Sequence, residues 1–413
     1  MLAITFRMPA WRYVAAKLAG KLDDRAFIGR LGGLRLAEVP EPALPGDDWV
    51  LCQPRLGGIC GTDVAFVTLR SHPGSMLRSF ASFPMLLGHE NVCVVRRVGK
   101  AVAAVRVGQR VVVEPSLSCR PRGIEPVCPS CRAGTFSLCE RFADGALPPA
   151  TMIGYNRFTG GSWSQRLVAH ESQLVPVPDA VDDRAAVLTD PLACGLHAAL
   201  RCRPATTDRV LVIGDGMLAM ALIASIRALG GRCRISVLLR SQRFADRLTR
   251  LGADRLLPAP PGESKAVLYD RVAGDVEARR VPGPFGNQSM LGGYDVVYDC
   301  VGTGRTLSDA MKFARARGRV VALGTAGIGL VETTPLWFSE LTVTGCNGRQ
   351  IETFEGRPMH TYQAVFELMA SRRLKTDGLL THTFGLSEYR EAFEAVMHRT
   401  ASGCVKAAFV HDA

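Results

Sequence analysis

The sequence predicts an α/β protein made of a β-rich part and a doubly wound parallel sheet. Three observations carry that expectation. Up to about residue 190 the chain consists of short valine-heavy runs broken by glycine and proline, such as "NVCVVRRVGKAVAAVRVGQRVVVEP", and short runs between turns read as β-structure. After Asp190, short apolar strands alternate with segments of helical length, which calls for crossover connections and parallel strands. A glycine turn, "VLVIGDGMLAMA", joins one such strand to the helix that follows it.

In the first part, "DDWVLCQPRLGGICG", "VGQRVVVEP" and "SWSQRLVAHESQLVPVP" are the strand candidates. In the second, "RVLVIG" is a buried strand and "MLAMALIASIRALGG" a helix with a glycine stop. "RISVLLR" is the next strand, and "SQRFADRLTRLGA" places Phe244, Leu248 and Leu251 on one helical face. Pro258 to Gly293, rich in proline and glycine, reads as a surface excursion with a short helix near Tyr269 to Ala278. "YDVVYDCVG" and "GRVVALG" are strands on either side of the helical "TLSDAMKFARA". Beyond Cys346 come two helices, "TYQAVFELMASRRL" and "SEYREAFEAVM", and a last strand, "CVKAAFV". This order predicts an inserted doubly wound domain and a tail that returns to the first. There is no internal repeat.

Composition narrows the function. The 413 residues are 47% hydrophobic and 21% charged, the profile of a globular chain with ample core. The net charge of +12 comes mostly from arginines that are scattered rather than blocked, and no nucleic-acid motif accompanies them. The N-terminal "MLAITFRMPAWRYVAAKLAGK" lacks the long apolar core of a signal peptide. Glycines interrupt the most apolar stretch, Val210 to Ile226, so a membrane partner is not expected. These features predict a cytoplasmic location, where clustered thiols more often bind metal or do chemistry than form disulfides.

The turn carries Gly214-x-Gly216-x-x-Ala219. The first glycine permits the tight turn and the second lets backbone approach a pyrophosphate. Ala219 is small enough for helix–strand packing, and the helix N-terminus presents amides to phosphate. Dinucleotide binding follows. NAD recognition needs an acidic residue at the end of the second strand, near Leu239, but the chain reads Arg240, Ser241 and Arg243 there. Guanidinium forks suit a 2′-phosphate, so NADP(H) is favoured over NAD(H).

Four cysteines, Cys119, Cys128, Cys131 and Cys139, fall within twenty-one residues. A C-x-x-C turn gives two thiolates to one face, and two more close a tetrahedral cage with no place for substrate. This predicts a structural zinc. Iron–sulfur clusters use the same donors, but nothing else in the chain suggests electron transfer. A second set is dispersed: "GGICGTD" with Cys60, Thr62 and Asp63, "LLGHEN" with His89 and Glu90, and "TDPLACGLHA" with Asp190 and Cys194. Each of these has an ordinary structural reading when taken alone.

Together, and in this order with the cysteine stretch and the late glycine turn, these motifs resemble the zinc-dependent medium-chain dehydrogenase/reductase family, which includes alcohol, sorbitol and threonine dehydrogenases. The resemblance extends to "YDVVYDCVG" and "THTFGLSEYREAFEAV" and implies a GroES-like catalytic domain with a Rossmann domain. It places the catalytic domain at 1–191 with its zinc lobe near 115–142, the dinucleotide domain at 192–346 and the return at 347–413. It also implies a catalytic zinc on Cys60, His89 and Asp190, with Glu90 able to join, and a proton relay through Thr62. Asp63 would orient a ligand, and Cys194 would pack against the nicotinamide. The implied substrate is a secondary alcohol, polyol or corresponding carbonyl, and the implied assembly a homodimer or homotetramer.

The chain departs from the family pattern at three places. Ala65 stands where many members carry a proton-relaying histidine, the gap between Cys119 and Cys128 is long, and the loop His72 to Phe83 is extended. Three rival readings remain at this stage: a zinc-free reductase of alkenes or quinones, a non-catalytic NADPH sensor, and an enzyme with Cys60 as nucleophile.

Overall fold

The computed structural model of the chain describes residues 1–325 and 327–411. The chain forms two compact units. The first comprises Met1–Asp190, Arg349–Arg372 and Thr376–Ala413, and the second Pro191–Gly348 and Arg373–Lys375. No helix of the described residues is long and apolar enough to cross a membrane.

The first unit is built on a mixed sheet in the order Leu380–Gly385, Lys406–Val410, Trp49–Gly58, Glu90–Val98, Arg110–Val113, Leu174–Pro176, with Leu167–His170 paired to the long third strand. Trp49–Gly58 is buried along nearly its whole length, with only Arg55 exposed. A smaller sheet joins Leu2–Phe6 to Leu34–Glu38 and Met85–Leu86. Ile4, Phe6, Phe27, Phe66, Trp163, Phe393 and Phe409 share one core cluster. The Trp163 indole donates to Gly58 O at 3.0 Å.

One element departs from the all-β expectation for this part. Ala10–Ala19 is a helix that starts after Pro9. Proline ahead of an alanine-rich run suits a helix start, a signal that valine-heavy runs elsewhere obscure.

The second unit is a six-stranded sheet in the order Arg255–Pro258, Arg234–Leu239, Arg209–Ile213, Tyr294–Asp299, Ala314–Ala322, Thr342–Gly345. Every pairing in it is parallel. Numbered along the chain, this is the 3-2-1-4-5-6 order of the doubly wound dinucleotide fold, whose direction reverses beside the first strand. Phe244, Leu248 and Leu251 are all buried, as their spacing requires. The excursion holds the helix Lys265–Asp275 and a hairpin, Arg279–Pro282 with Gln288–Leu291, which its proline and glycine content concealed. The helix Gly304–Phe313 stops where parallel pairing begins at Ala314, so the last residues of "TLSDAMKFARA" belong to a strand.

Candidate metal centres and dinucleotide turn

The strand Trp49–Gly58 delivers Cys60 to the N-terminus of the helix Gly61–Val67. The Asp63 carboxylate reaches back to accept the Cys60 amide at 2.9 Å and closes a capping box. Thr62 Oγ1 lies 3.6 Å from Cys60 Sγ. The neighbouring strand Glu90–Val98 is antiparallel, in a register that sets Glu90 opposite Gly58. A Cβ on Gly58 would overlap the Glu90 carboxylate, so the second glycine of "GGICG" is what admits that side chain.

Among the described residues, the ligand atoms of Cys60, His89 and Glu90 lie within 4.8 Å of one another. Their neighbours set the charge. Asp63 Oδ1 sits 3.4 Å from His89 Nδ1 and accepts the Tyr155 hydroxyl at 2.7 Å. Lys406 Nζ reaches Glu90 Oε1 at 2.5 Å and donates to Ile59 O at 3.0 Å. Glu90 and Lys406 are 0% and 4% exposed. Burial disfavours an imidazolium at His89, but Asp63 and Cys60 outweigh it and hold the pKa well above its ordinary value. Burial likewise raises Glu90, against Lys406 and His89. A buried cluster that favours a proton on histidine this strongly is one that favours a cation. A soft thiolate, a borderline imidazole and a hard carboxylate form a donor set that zinc, itself borderline, accepts. The residues therefore fit the implied metal.

Asp190, which the resemblance places with Cys60 and His89, lies outside this 4.8 Å group. Its Oδ1 accepts Arg349 Nη1 at 3.0 Å and the Tyr362 hydroxyl at 2.6 Å. Burial would raise Asp190, but Arg349, then His89 and Tyr362, carry it below the ordinary carboxylate range. Its charge in turn raises Glu90, so Asp190 acts on the cluster electrostatically, while the carboxylate atom within 4.8 Å of the Cys60 and His89 ligand atoms is that of Glu90. The sequence reading missed Arg349, Tyr362, Tyr155 and Lys406. Only Lys406 left a signal, a lysine inside the apolar run "CVKAAFV".

The four cysteines of the lobe also converge within 4.8 Å, all buried. Cys119 Sγ lies 3.7 Å and Cys128 Sγ 3.9 Å from Cys139 Sγ, far beyond a disulfide bond of about 2.05 Å. Amides of Cys128, Cys131 and Arg141 point at Cys119, Cys128 and Cys139 Sγ at 3.3–3.4 Å, as thiolate acceptors require. Burial raises the thiols of Cys128, Cys131 and Cys139, yet amides at Glu140 and Cys131 bring Cys128 down to about 7. Cys131 is pushed up to about 11 and Cys139 higher still. Four thiolates cannot coexist at this spacing without a cation, and four sulfurs fit zinc.

Arg122 accounts for the long gap after Cys119. It is 0% exposed and donates to five carbonyls, those of Leu117, Asp144, Leu147, Pro148 and Ala150. The residues added between Cys119 and Cys128 thus carry the side chain that ties the lobe together.

In the second unit, Gly214 follows the strand Arg209–Ile213 with φ +118°, a conformation that disfavours any side chain. Gly216 is the N-cap of the helix Met217–Ala228, and Ala219 is buried within it. Asp215 Oδ2 accepts the amides of Arg240 and Ser241 at 2.9 and 3.1 Å, tying the end of the second strand to the glycine turn. Arg240 and Arg243 are exposed, whereas Leu239 is buried. Cys194 lies in the helix Thr189–Arg201, and a Cβ on Gly348 would fall 3.2 Å from its Sγ.

Known proteins share these features. Residues 46–179 match the model of the alcohol dehydrogenase GroES-like domain, and residues 218–370 that of the zinc-binding dehydrogenases. The chain is 28% identical to L-idonate 5-dehydrogenase of Vitis vinifera, over 92% of this chain and 93% of that one. It is 27% identical to sorbitol dehydrogenase of Arabidopsis thaliana, over 91% and 93%. It is 29% identical to L-threonine 3-dehydrogenase of Mesorhizobium japonicum, over 90% and 94%. Among solved structures, a zinc-binding dehydrogenase of Sinorhizobium meliloti bound to NADP superposes with a TM-score of 0.67 at 25% identity, covering 92% of this chain and 95% of that one. The 2R,3R-butanediol dehydrogenase of Bacillus subtilis shares the fold, with a TM-score of 0.71 at 20% identity and full coverage of both chains.

Proposed function

The chain belongs to the zinc-dependent medium-chain dehydrogenase/reductase family and is an oxidoreductase, and from that premise we propose that it interconverts a secondary alcohol or polyol and its carbonyl with NADP(H). The observation that carries this reading is the convergence of Cys60, His89 and Glu90 within 4.8 Å beside buried counter-charges. Zinc there would polarise the substrate oxygen and favour the alkoxide over the alcohol. Cys60 and His89 would hold the metal, and Asp63, 3.4 Å from His89 Nδ1, would orient the His89 ring. Glu90 is a ligand that Lys406 competes for. Asp190, fixed by Arg349 and Tyr362, presents a carboxylate to the substrate side. The Thr62 hydroxyl would relay the alcohol proton, accepting it while passing its own on to solvent water, since Ala65 stands where a histidine would otherwise receive it. Zinc held by the four lobe cysteines would be structural.

Gly214, Gly216 and Ala219 would hold the pyrophosphate. Arg240, Ser241 and Arg243 would hold the 2′-phosphate, an assignment supported by the exposed guanidiniums and by the NADP in the S. meliloti structure. Polyol and sugar-acid relatives favour a polyhydroxy substrate. The strand Thr342–Gly345 is paired on one side only, beside exposed Trp337 and Phe338, which supports assembly of copies through that edge.

The test is oxidation of a polyol panel with NADP and NAD. Wild-type protein is expected to prefer NADP. Arg240→Ala combined with Arg243→Ala is expected to raise the KM for NADP at least about tenfold, each tenfold being about 1.4 kcal/mol, without changing that for NAD. Equal use of both cofactors by the wild type refutes the NADP assignment, and no turnover of any alcohol refutes the function.

A further inference from the structure

The segment that grips Asp190 is itself fastened to the cysteine lobe. Ile351 N donates to Gly134 O at 3.0 Å. Gln350 Nε2 donates to Ser137 Oγ at 3.2 Å, with both side chains buried. The His360 ring stacks on Phe136 with centroids 6.2 Å apart. Gly134 has φ +78°, and a Cβ there would lie 2.9 Å from Ile351 Cβ and Cδ1. All three lobe positions, Gly134, Phe136 and Ser137, lie between Cys131 and Cys139.

The two ends of the same segment hold Asp190. Arg349 precedes Gln350 and donates to Asp190 Oδ1 at 3.0 Å, while its Nε lies 3.5 Å from Glu114 Oε1. Tyr362 follows the hairpin Ile351–Phe354 with Arg357–His360 and donates to the same oxygen at 2.6 Å. The lobe thus touches the middle of the segment, and the segment's ends touch the carboxylate beside Cys60, His89 and Glu90. Arg349 and Asp190 are both buried. In a close-packed interior such contacts transmit displacement rather than absorb it.

We propose that Arg349 is a positioning residue for Asp190 and that the metal-filled cysteine lobe, by seating Gln350 and Ile351, seats Arg349. Metal in the lobe fixes the loop Cys131–Cys139. With that loop loosened, Gln350 and Ile351 lose their acceptors and Arg349 loses its register against Asp190. The lobe then serves turnover as well as stability. This inference rests on the reading of Cys60, His89 and Glu90 as the catalytic centre and of the lobe as a zinc site.

The test combines metal counts, kinetics and a spectrum. Arg349→Met is expected to keep two metals per chain, to lower kcat at least tenfold with the KM for NADP unchanged, and to shift the visible band of cobalt substituted at the Cys60 centre. Arg349→Lys is expected to recover part of both. Cys128→Ser is expected to lose one metal and to show the same loss of kcat and the same cobalt shift. Adding Arg349→Met to Cys128→Ser should then cost nothing further, because both remove one coupling. If Cys128→Ser does not fold, Gly134→Ala keeps all four cysteines and pushes directly on Ile351, and the same kinetic loss with two metals is expected. Wild-type kcat in Cys128→Ser or Gly134→Ala, or multiplicative losses in the double variant, overturn the proposal. A wild-type chain with no lobe metal overturns the underlying reading instead, and the metal count tells the two apart.

Discussion

The two candidate metal clusters of this chain gather their donors in different ways. In the lobe, four identical sulfurs come from one continuous stretch, Cys119 to Cys139, and the backbone amides of Cys128, Cys131 and Arg141 point at three of them. At the other cluster the donors are a thiol, an imidazole and a carboxylate brought together by strand register. Lys406, from far along the chain, answers the charge of Glu90, while Tyr155 bonds to Asp63 and Arg349 and Tyr362 bond to Asp190 beside it. Four sulfurs leave a tetrahedral ion nothing to exchange. Three unlike donors, one of them already paired with a buried lysine, leave it a position and a ligand that can be contested. On the proposed reading, the difference separates a metal that holds structure from a metal that works.

The sharpest way to break this contrast is to remove one sulfur from each cluster. Cys60→Ser is expected to lower kcat/KM by at least about 10³, or about 4 kcal/mol of transition-state stabilisation, while Tm stays near wild type. Cys131→Ser is expected to lose the lobe metal and to lower Tm by at least about 5 °C, because binding energy at a structural zinc is folding energy. Differential scanning calorimetry alongside initial rates separates the two. A large Tm loss in Cys60→Ser would erase the distinction.

A second prediction sharpens it. Lys406→Met strands the Glu90 charge in a buried site and is expected to cost about 3–5 kcal/mol of stability. Combining it with Glu90→Gln should recover much of that loss, as urea denaturation of the double variant would show. If the single variant is as stable as wild type, Glu90 is not charged against Lys406.

The smallest expected effect lies where the lobe meets its neighbour. Burial, and then the charge of Arg349, hold the His360 imidazole down at about 4. Its folded pKa is below the ordinary 6.5, so the unfolded chain binds the extra proton first. The stability this residue contributes is complete above about pH 6.5 and is lost as pH falls toward 4, by up to about 3 kcal/mol. Because His360 also accepts the Tyr362 amide as an N-cap, His360→Asn should keep the cap and flatten the pH dependence of stability in that window. An unchanged pH dependence in the variant would assign the effect elsewhere.

What was legible in the sequence follows the same division. Contacts between residues near in sequence could be read: the cysteine spacing, the glycine turn, and the face made by Phe244, Leu248 and Leu251. Cys60, His89, Glu90 and Asp190 were legible as motifs, but the partners that hold Asp190 were not. Those partners, Arg349 and Tyr362, stand 159 and 172 residues away in the chain. Arg122 was hidden for another reason. A fully buried arginine is satisfied here by carbonyls, and carbonyls leave no trace in residue identity. The helix Ala10–Ala19 was masked by the β-rich texture of the chain around it.

The measurement that tests the account most directly is zinc per chain in freshly purified protein, taken by elemental analysis without chelator on wild type and on Cys60→Ser. Two zinc ions in the wild type and one in the variant are predicted. One zinc in both, in folded protein, would mean that Cys60, His89 and Glu90 do not hold a metal and would contradict the central claim.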